Sequence, residues 1–395
     1  LEKMNIVTKK YKTSMELFNR YKNKDSKENF KKLLYQSVES VSNRNQKIGL
    51  MMSGGLDSSA IAIALKENNF INVKTYSANF RHIPNRNIDE TLYQENVSKL
   101  TSFKHESVPM KGKSSIKPIH RFTKIFSQPI MFPNIYLFEE IIKKAKEDNI
   151  EIILDGNDGD NTVSHGFEVL YYFFTKLMFF KFIKEIYLYS KFINASFIRL
   201  LYLFINQAIK KIFKIKQNEN KKSILKSDLK IKKNRKNIIS FFSSHKRKLS
   251  IDLHYLGNEY RNDLFRYFEI ENFSPFYDED LINFCLNMHY KDKLHNGYTR
   301  NILRRFLADF LPKDHVNRDK STLTPGLLSN FTNTDLNFIK NNFKKINETL
   351  SELVDLEKLK NIICDLEDGV ELDEERLIDL QIFISANTFL NQYNF

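Results

Sequence analysis

The sequence predicts an α/β fold: a parallel sheet covered by helices, with a helical insertion and a helical C-terminal part. Three observations carry this. Between residues 47 and 154, short apolar runs alternate with amphipathic stretches in β-α-β-α order, which implies a parallel sheet between helical layers. Two of those runs end in Gly/Asp-rich turns, at 53–57 and 155–160, where parallel sheets place their ligand sites. From Ile251 onward, helical patterns return after an aromatic and then strongly basic stretch.

Residues 1–27 are polar and basic with weak periodicity, and read as a tail or linker stub. From Glu28, Phe30, Leu33, Leu34, Val38 and Val41 recur at helical spacing. Lys47–Met52 reads as a buried strand, Ser58–Leu65 as a helix, and Val73–Phe80 as an alternating strand. Asp89 is placed to cap a helix running to Leu100. Lys104–Pro109 reads as a strand, Asn134–Lys146 as a helix and Glu151–Leu154 as a short buried strand. The expected domains are an α/β core at 28–166, an insertion at 167–250, a helical continuation at 251–330 and C-terminal helices at 331–395. The last are acidic, with 12 Asp/Glu against 3 Lys/Arg over 347–380. There is no internal repeat.

The insertion begins with aromatic residues, Tyr171, Tyr172, Phe173, Phe174, Phe179, Phe180 and Phe182, interrupted by Lys176, Lys181, Lys184 and Glu185. No uncharged span approaches the roughly 20 residues of a transmembrane helix. Two helices packing on the α/β core is the favoured reading; a membrane-surface helix is the sharper one, because lysines flank the aromatic face. Residues 207–248 then hold 15 Lys/Arg against Glu219 and Asp228. That difference, +13, supplies nearly all of the formal net charge of +14, so the rest of the 395 residues is close to neutral. Any anionic surface contact is therefore expected through 207–248. The abundance of Lys, Asn, Ile and Phe together is also what an AT-rich coding bias produces. Two cysteines, Cys285 and Cys364, exclude a disulfide scaffold or a multi-cysteine metal cluster and fit a cytoplasmic protein. Leu1–Arg20 lacks the continuous apolar stretch of a signal peptide.

The strongest motif is Ile48-Gly-Leu-Met-Met-Ser53-Gly-Gly-Leu-Asp57-Ser-Ser59: a strand, a tight turn, then a helix. Gly54 and Gly55 let the backbone curl so that successive N–H groups face one concavity. Ser53, Ser58 and Ser59 add hydroxyl donors, and the helix N-terminus adds its positive dipole end. This describes a pyrophosphate cradle, although not a Walker loop, which needs G-x-x-x-x-G-K-[ST]. Asp57 would lie beside the phosphates, which is unfavourable unless a cation intervenes, and so implies Mg²⁺.

Ser53–Ser59 resembles the PP-loop of the N-type ATP pyrophosphatases, specifically the synthetase domain of asparagine synthetases, an adenine-nucleotide alpha hydrolase-like fold. Asp155-Gly-Asn-Asp-Gly-Asp-Asn161 is similar to the family's second loop, normally S-G-E-G-(G/S)-D-E. Ser274-Pro-Phe-Tyr-Asp278 resembles its P-F-L-D block. Thr299-Arg-Asn-Ile-Leu-Arg304, Leu311-Pro312 and Arg318-Asp-Lys320 follow its T-K-x-x-L-R…LP…R-x-K order. The resemblance implies an ATP-dependent ligase that adenylates a carboxylate, by default aspartate, releases pyrophosphate, and passes the acyl group to ammonia or another amine. It implies ATP and Mg²⁺ as cofactors. By the same carry-over Met52, Ala78, Asp155 and Gly156 would line the nucleotide, Asp57 and Asp160 would hold the metal, and Lys320 would bind pyrophosphate.

The sequence departs from the family in several places. No cysteine precedes Cys285 and the stretch before residue 28 is too short for a glutaminase domain, so ammonia is expected from elsewhere, for instance a separate glutaminase. Asn157 stands where the family has a glutamate suited to deprotonating the amine, and an amide cannot accept that proton near neutral pH. Asp158 is the carboxylate left to replace it; His165 at the loop's edge reads first as a loop histidine bonded to backbone and second as a further base. Phe273 replaces the usual arginine before the P-F-L-D block. Three alternatives follow: a lasso-peptide-type macrolactam cyclase taking a peptide carboxylate, a PP-loop enzyme that modifies tRNA, and a non-catalytic nucleotide-binding descendant.

Overall fold

Five parallel strands form the sheet, in the order β3-β2-β1-β4-β5. They are β1 (Ile48–Met51), β2 (Val73–Asn79), β3 (Lys104–Pro109), β4 (Ile152–Leu154) and β5 (Glu271–Phe273). The computed structural model describes residues 25–41, 46–83, 90–212, 224–226, 245, 252–318, 333–370 and 372–393. β1 is central and wholly buried, which is why it reads as an unbroken apolar run. It pairs with β2 on one side and β4 on the other, with Leu50 opposite both Thr75 and Leu154. That register sets the C-terminal ends of β1 and β4 side by side.

Helices cover both faces. α1 (Ser26–Glu39), α2 (Leu56–Glu67) and α3 (Thr91–Thr101) come first, followed by α4 (Lys117–Phe126), α5 (Ile135–Glu147) and the single turn α6 (Gly159–Thr162). α1 is capped by the Asp25 carboxylate, which accepts from the Lys27 N–H, and buries the predicted stripe Phe30, Leu33, Leu34 and Val38. One core layer joins that stripe to Ile61 and Leu65 of α2 and to Phe276, Leu303 and Phe306 from the second half of the chain. The opposite layer joins Ile119, Phe122, Ile135 and Ile142 to Leu264 and Phe265. α3 begins after Glu90 without a side-chain cap; Asp89, the expected cap, lies outside the described residues.

The aromatic stretch folds as three helices, α7 (Phe167–Thr175), α8 (Phe179–Phe192) and α9 (Phe197–Ile212), where the pattern suggested two. The breaks are local: Leu177 and Asn194 adopt left-handed backbone, which ends one helix and redirects the next. Their buried side chains, among them Val169, Phe173, Phe182 and Ile186, form a cluster separate from the sheet layers. Beyond it come α10 (Asp252–Tyr267), a 3₁₀ turn (Pro275–Tyr277), α11 (Glu279–Asn287), α12 (Tyr290–Lys293), the hairpin β6 (Leu294–His295) and β7 (Tyr298–Thr299), α13 (Asn301–Leu307) and α14 (Lys313–Val316). α15 (Asn333–Lys344), α16 (Glu348–Leu353), α17 (Leu356–Glu367) and α18 (Glu374–Tyr393) enclose a further core around Ile339, Leu359, Phe383 and Ile384. Glu271–Phe273 and the hairpin are strands that the sequence pattern did not indicate; both are short and lack a fully buried run.

Candidate active site

Two loops meet at the C-terminal edge of the sheet. The first runs from Met52 to Gly55, between β1 and α2; the second runs from Asp155 to Asp158, between β4 and α6. Gly54 has φ +80°, and a Cβ there would lie 2.9 Å from the Tyr93 Cβ, so only glycine permits both the turn and the approach of α3. Ser53 Oγ accepts from the Gly55 N–H at 3.1 Å and lies 3.3 Å from Ser58 Oγ. α2 begins at Gly55 with no side-chain cap, so its first N–H groups are left for an acceptor from outside the helix. Met52, at the end of β1, gives its N–H to Tyr76 O at 2.8 Å, and its carbonyl accepts from Ser77 Oγ. Ala78 is two residues beyond Tyr76 on the neighbouring strand, at the same edge.

The second loop is shaped by Asp155. Its buried carboxylate accepts from Ser274 Oγ at 2.6 Å, Asn272 Nδ2 at 3.0 Å and the Asn157 N–H at 3.0 Å, and Arg261 lies 3.6 Å away. Asp155 thus ties β4 to the Ser274–Asp278 block. Asp158 has left-handed backbone (φ 57°), and its carboxylate accepts from Asn161 Nδ2 at 2.6 Å. The Asn157 side chain turns toward α10 and donates to Asn258 Oδ1 at 3.3 Å, while Asn258 in turn donates to Tyr277 Oη. Gly159 then packs so tightly on the first turn of α2 that a Cβ would sit 2.6 Å from the Asp57 carboxyl.

That closeness brings together the two carboxylates read as metal ligands. Arg300 Nη1 donates to Asp57 Oδ2 at 2.7 Å and to Asp160 Oδ1. Burial opposes the Arg300 charge, but the two carboxylates more than offset it and hold the guanidinium above its ordinary pKa. His165 lies 3.8 Å from Asp160 and stacks on Phe167. The Arg300 backbone is itself left-handed (φ 52°), directly after the β6–β7 hairpin. That hairpin turns at Asn296-Gly297, whose N–H groups donate to the buried Glu185 carboxylate of α8 at 3.2 and 2.8 Å. The aromatic insertion therefore helps to set the position of Arg300.

Two further arginines brace the cradle. Arg304 donates through Nε to Thr299 O at 2.7 Å and through Nη1 to Val316 O and Arg318 O, joining α13 to the end of β7 and to the C-terminal end of α14 and the residues after it. Arg318 donates to Gly54 O at 2.9 Å, pairs with Glu90 and lies 4.0 Å over the Tyr93 ring. None of the three was assigned a role from sequence. The available signals were their places in the Thr299–Arg304 and Arg318–Lys320 blocks and, for Arg304, an arginine inside the apolar run Ile302-Leu-Arg-Arg-Phe306. Lys320 lies outside the described residues. Cys285 is buried, and burial pushes its thiol up to about 12, so it stays protonated and unreactive.

His315 lies beneath the cradle, with Nε2 3.3 Å from Ser59 Oγ and its ring edge-on to Tyr93. Burial and the Arg318 charge push its imidazole down to about 4. An unfolded chain protonates this ring near pH 6.5, so the stability contributed by the neutral ring is complete above pH 6.5 and lost as pH falls toward 4. At about 1.4 kcal/mol per unit of separation, the loss approaches ~3 kcal/mol. His315→Gln is expected to flatten the stability–pH curve across that window. Urea unfolding of both proteins at several pH values checks this, and parallel curves would show that His315 is not the titrating group.

Among curated proteins none matches the chain. The family model described as asparagine synthase matches residues 29–391, a span that includes both loops, Arg300 and all the flanking helices. The chain belongs to the asparagine synthase family, whose synthetase domain is that of ATP-dependent amide ligases.

Proposed function

We propose that the chain is an AMP- and pyrophosphate-forming carbon–nitrogen ligase that activates a carboxylate, with aspartate as the first substrate to test and ammonia or another amine as acceptor. The observation that carries this is the convergence of Asp57 and Asp160 beside the uncapped start of α2. A carboxylate carbon is too electron-rich for an amine to attack. Attack of a substrate carboxylate oxygen on the α-phosphorus of ATP breaks the α–β anhydride bond, releases pyrophosphate and leaves an acyl adenylate. The amine then attacks the acyl carbon, AMP departs and the amine loses a proton.

In this reading Ser53, Gly54, Gly55, Ser58 and Ser59 bind the leaving pyrophosphate through N–H and hydroxyl groups, assisted by Lys320. Met52, Ala78, Asp155 and Gly156 shape the nucleotide site. Asp158 is the carboxylate offered to the departing amine proton, since Asn157 is occupied with Asn258 and cannot serve.

Mg²⁺ fits the acid pair. Two carboxylates facing one guanidinium retain a net negative charge, and Mg²⁺ in nucleotide sites needs only one or two carboxylates, with waters and phosphate oxygens completing its shell. Asp57 and Asp160 would hold the ion, which would neutralise phosphate charge.

Pyrophosphate–ATP exchange tests the proposal, run with aspartate, with tRNA and without any acceptor. Aspartate-dependent exchange is the expected result; exchange only with tRNA overturns it.

A further inference from the structure

The helical insertion leaves an apolar face uncovered. Phe180, Ile183 and Tyr187 recur along one side of α8 and Ile198, Tyr202 and Leu203 along one side of α9, all exposed in the fold. Phe180 is 91% exposed, Ile198 77% and Tyr202 67%. α8 and α9 pack against one another, and their other faces are used in the cluster around Phe182 and Ile186. Both exposed stripes are thus carried by one packed helix pair. Isolated exposed apolar residues are ordinary; a concentration on two adjoining helices marks an interaction surface.

Charge identifies the partner. Lys184 and Lys191 of α8 and Arg199 of α9 are exposed at helical spacing to these stripes, Lys176 and Lys181 are exposed nearby, and none of the five is in an ion pair among the described residues. The only acidic residues between 167 and 212, Glu168 and Glu185, are both buried. The chain then continues into the 207–248 stretch with its excess of 13 positive charges. A second copy of this chain would set the same unneutralised positive face against itself. Nucleic acid would satisfy the lysines but offers no acyl counterpart to Phe180, Ile183, Ile198 and Leu203. An anionic bilayer surface supplies both: headgroup phosphates for the lysines and the upper acyl region for the aromatic and aliphatic side chains. No helix among the described residues is long and apolar enough to cross a membrane, so the contact is at the surface.

We propose that α8 and α9 form a docking face for anionic lipid bilayers. The docking residues Phe180, Ile183 and Tyr187 are exposed, whereas Glu185 of the same helix is buried and bonds to the Arg300 hairpin, so docking would use a different side of α8 from the one that holds the hairpin.

Cosedimentation of the full chain with phosphatidylcholine vesicles, with and without phosphatidylglycerol, tests this. Binding is expected only to the anionic vesicles and to weaken with added salt. Phe180→Ser/Ile183→Ser/Tyr202→Ser is expected to reduce binding by about 10-fold or more, since the apolar insertion is lost. Lys184→Gln/Lys191→Gln is expected to reduce it by roughly 5-fold per lysine. All five positions are exposed, and unchanged thermal melting of both variants confirms that the fold is retained. Absence of binding to anionic vesicles overturns the proposal, as does binding of single-stranded RNA without vesicle binding. Vesicle binding undiminished in the triple variant also overturns it, because attraction would then come from basic segments alone.

Discussion

Pyrophosphate–ATP exchange is expected to fall by about 100- to 1,000-fold when Asp57 is replaced by asparagine, the range seen when one preorganised electrostatic group is removed from a reacting centre. The substitution is nearly isosteric, so the close approach of Gly159 to this side chain is preserved. Arg300 keeps its bond to Asp160, and the buried guanidinium remains neutralised by one carboxylate. The first turn of α2 loses its only acidic residue, which costs about 0.3–1 kcal/mol through the helix dipole. The variant should therefore stay folded while losing the negative charge that offsets a metal ion beside the phosphates. Exchange rates and melting curves measured together separate the two effects. Full exchange in a folded Asp57→Asn protein would remove the acid pair from the mechanism.

The α/β core was legible because its inner strands β1 and β4 are buried throughout and short enough to be bounded by Gly and Asp. Ile48–Met51 and Ile152–Leu154 are read directly as apolar runs, and the loops that follow them carry the motif residues. Parallel pairing of β1 with β4 then makes the meeting of the loops a matter of topology. β5 was not legible: three residues at the sheet edge, none fully buried, have no periodicity to show. The arginines illustrate a different limit. Arg300 reaches Asp57 across 243 residues and Arg318 reaches Gly54 across 264, and no local pattern records such pairings. The insertion falls between these cases. Its aromatic density announced helices, but which face is buried depends on where Leu177 and Asn194 break the chain, and that is set by backbone conformation.

Removing the Arg300 charge should have the largest effect on stability of any single change at the site. Arg300→Met is expected to cost up to about 3–5 kcal/mol in the absence of divalent cations, because two part-buried carboxylates then face each other without their shared cation. Adding Asp160→Asn should recover part of that loss, since only one carboxylate remains, and a double-mutant cycle on urea midpoints measures the coupling. Mg²⁺ supplies a sharper readout. Arg300 bonds both carboxylates that would hold the ion, so the ion would compete with the guanidinium in the parent and would have no such competitor in the methionine variant. At a hundred times the variant's dissociation constant Mg²⁺ should stabilise Arg300→Met by about 2.7 kcal/mol, and the parent, with its weaker affinity, by less. The Arg300→Met/Asp160→Asn protein should lose most of that dependence. If Mg²⁺ moves the melting of all three proteins equally, the ion binds elsewhere and the Asp57–Arg300–Asp160 cluster is a structural clasp between the loops.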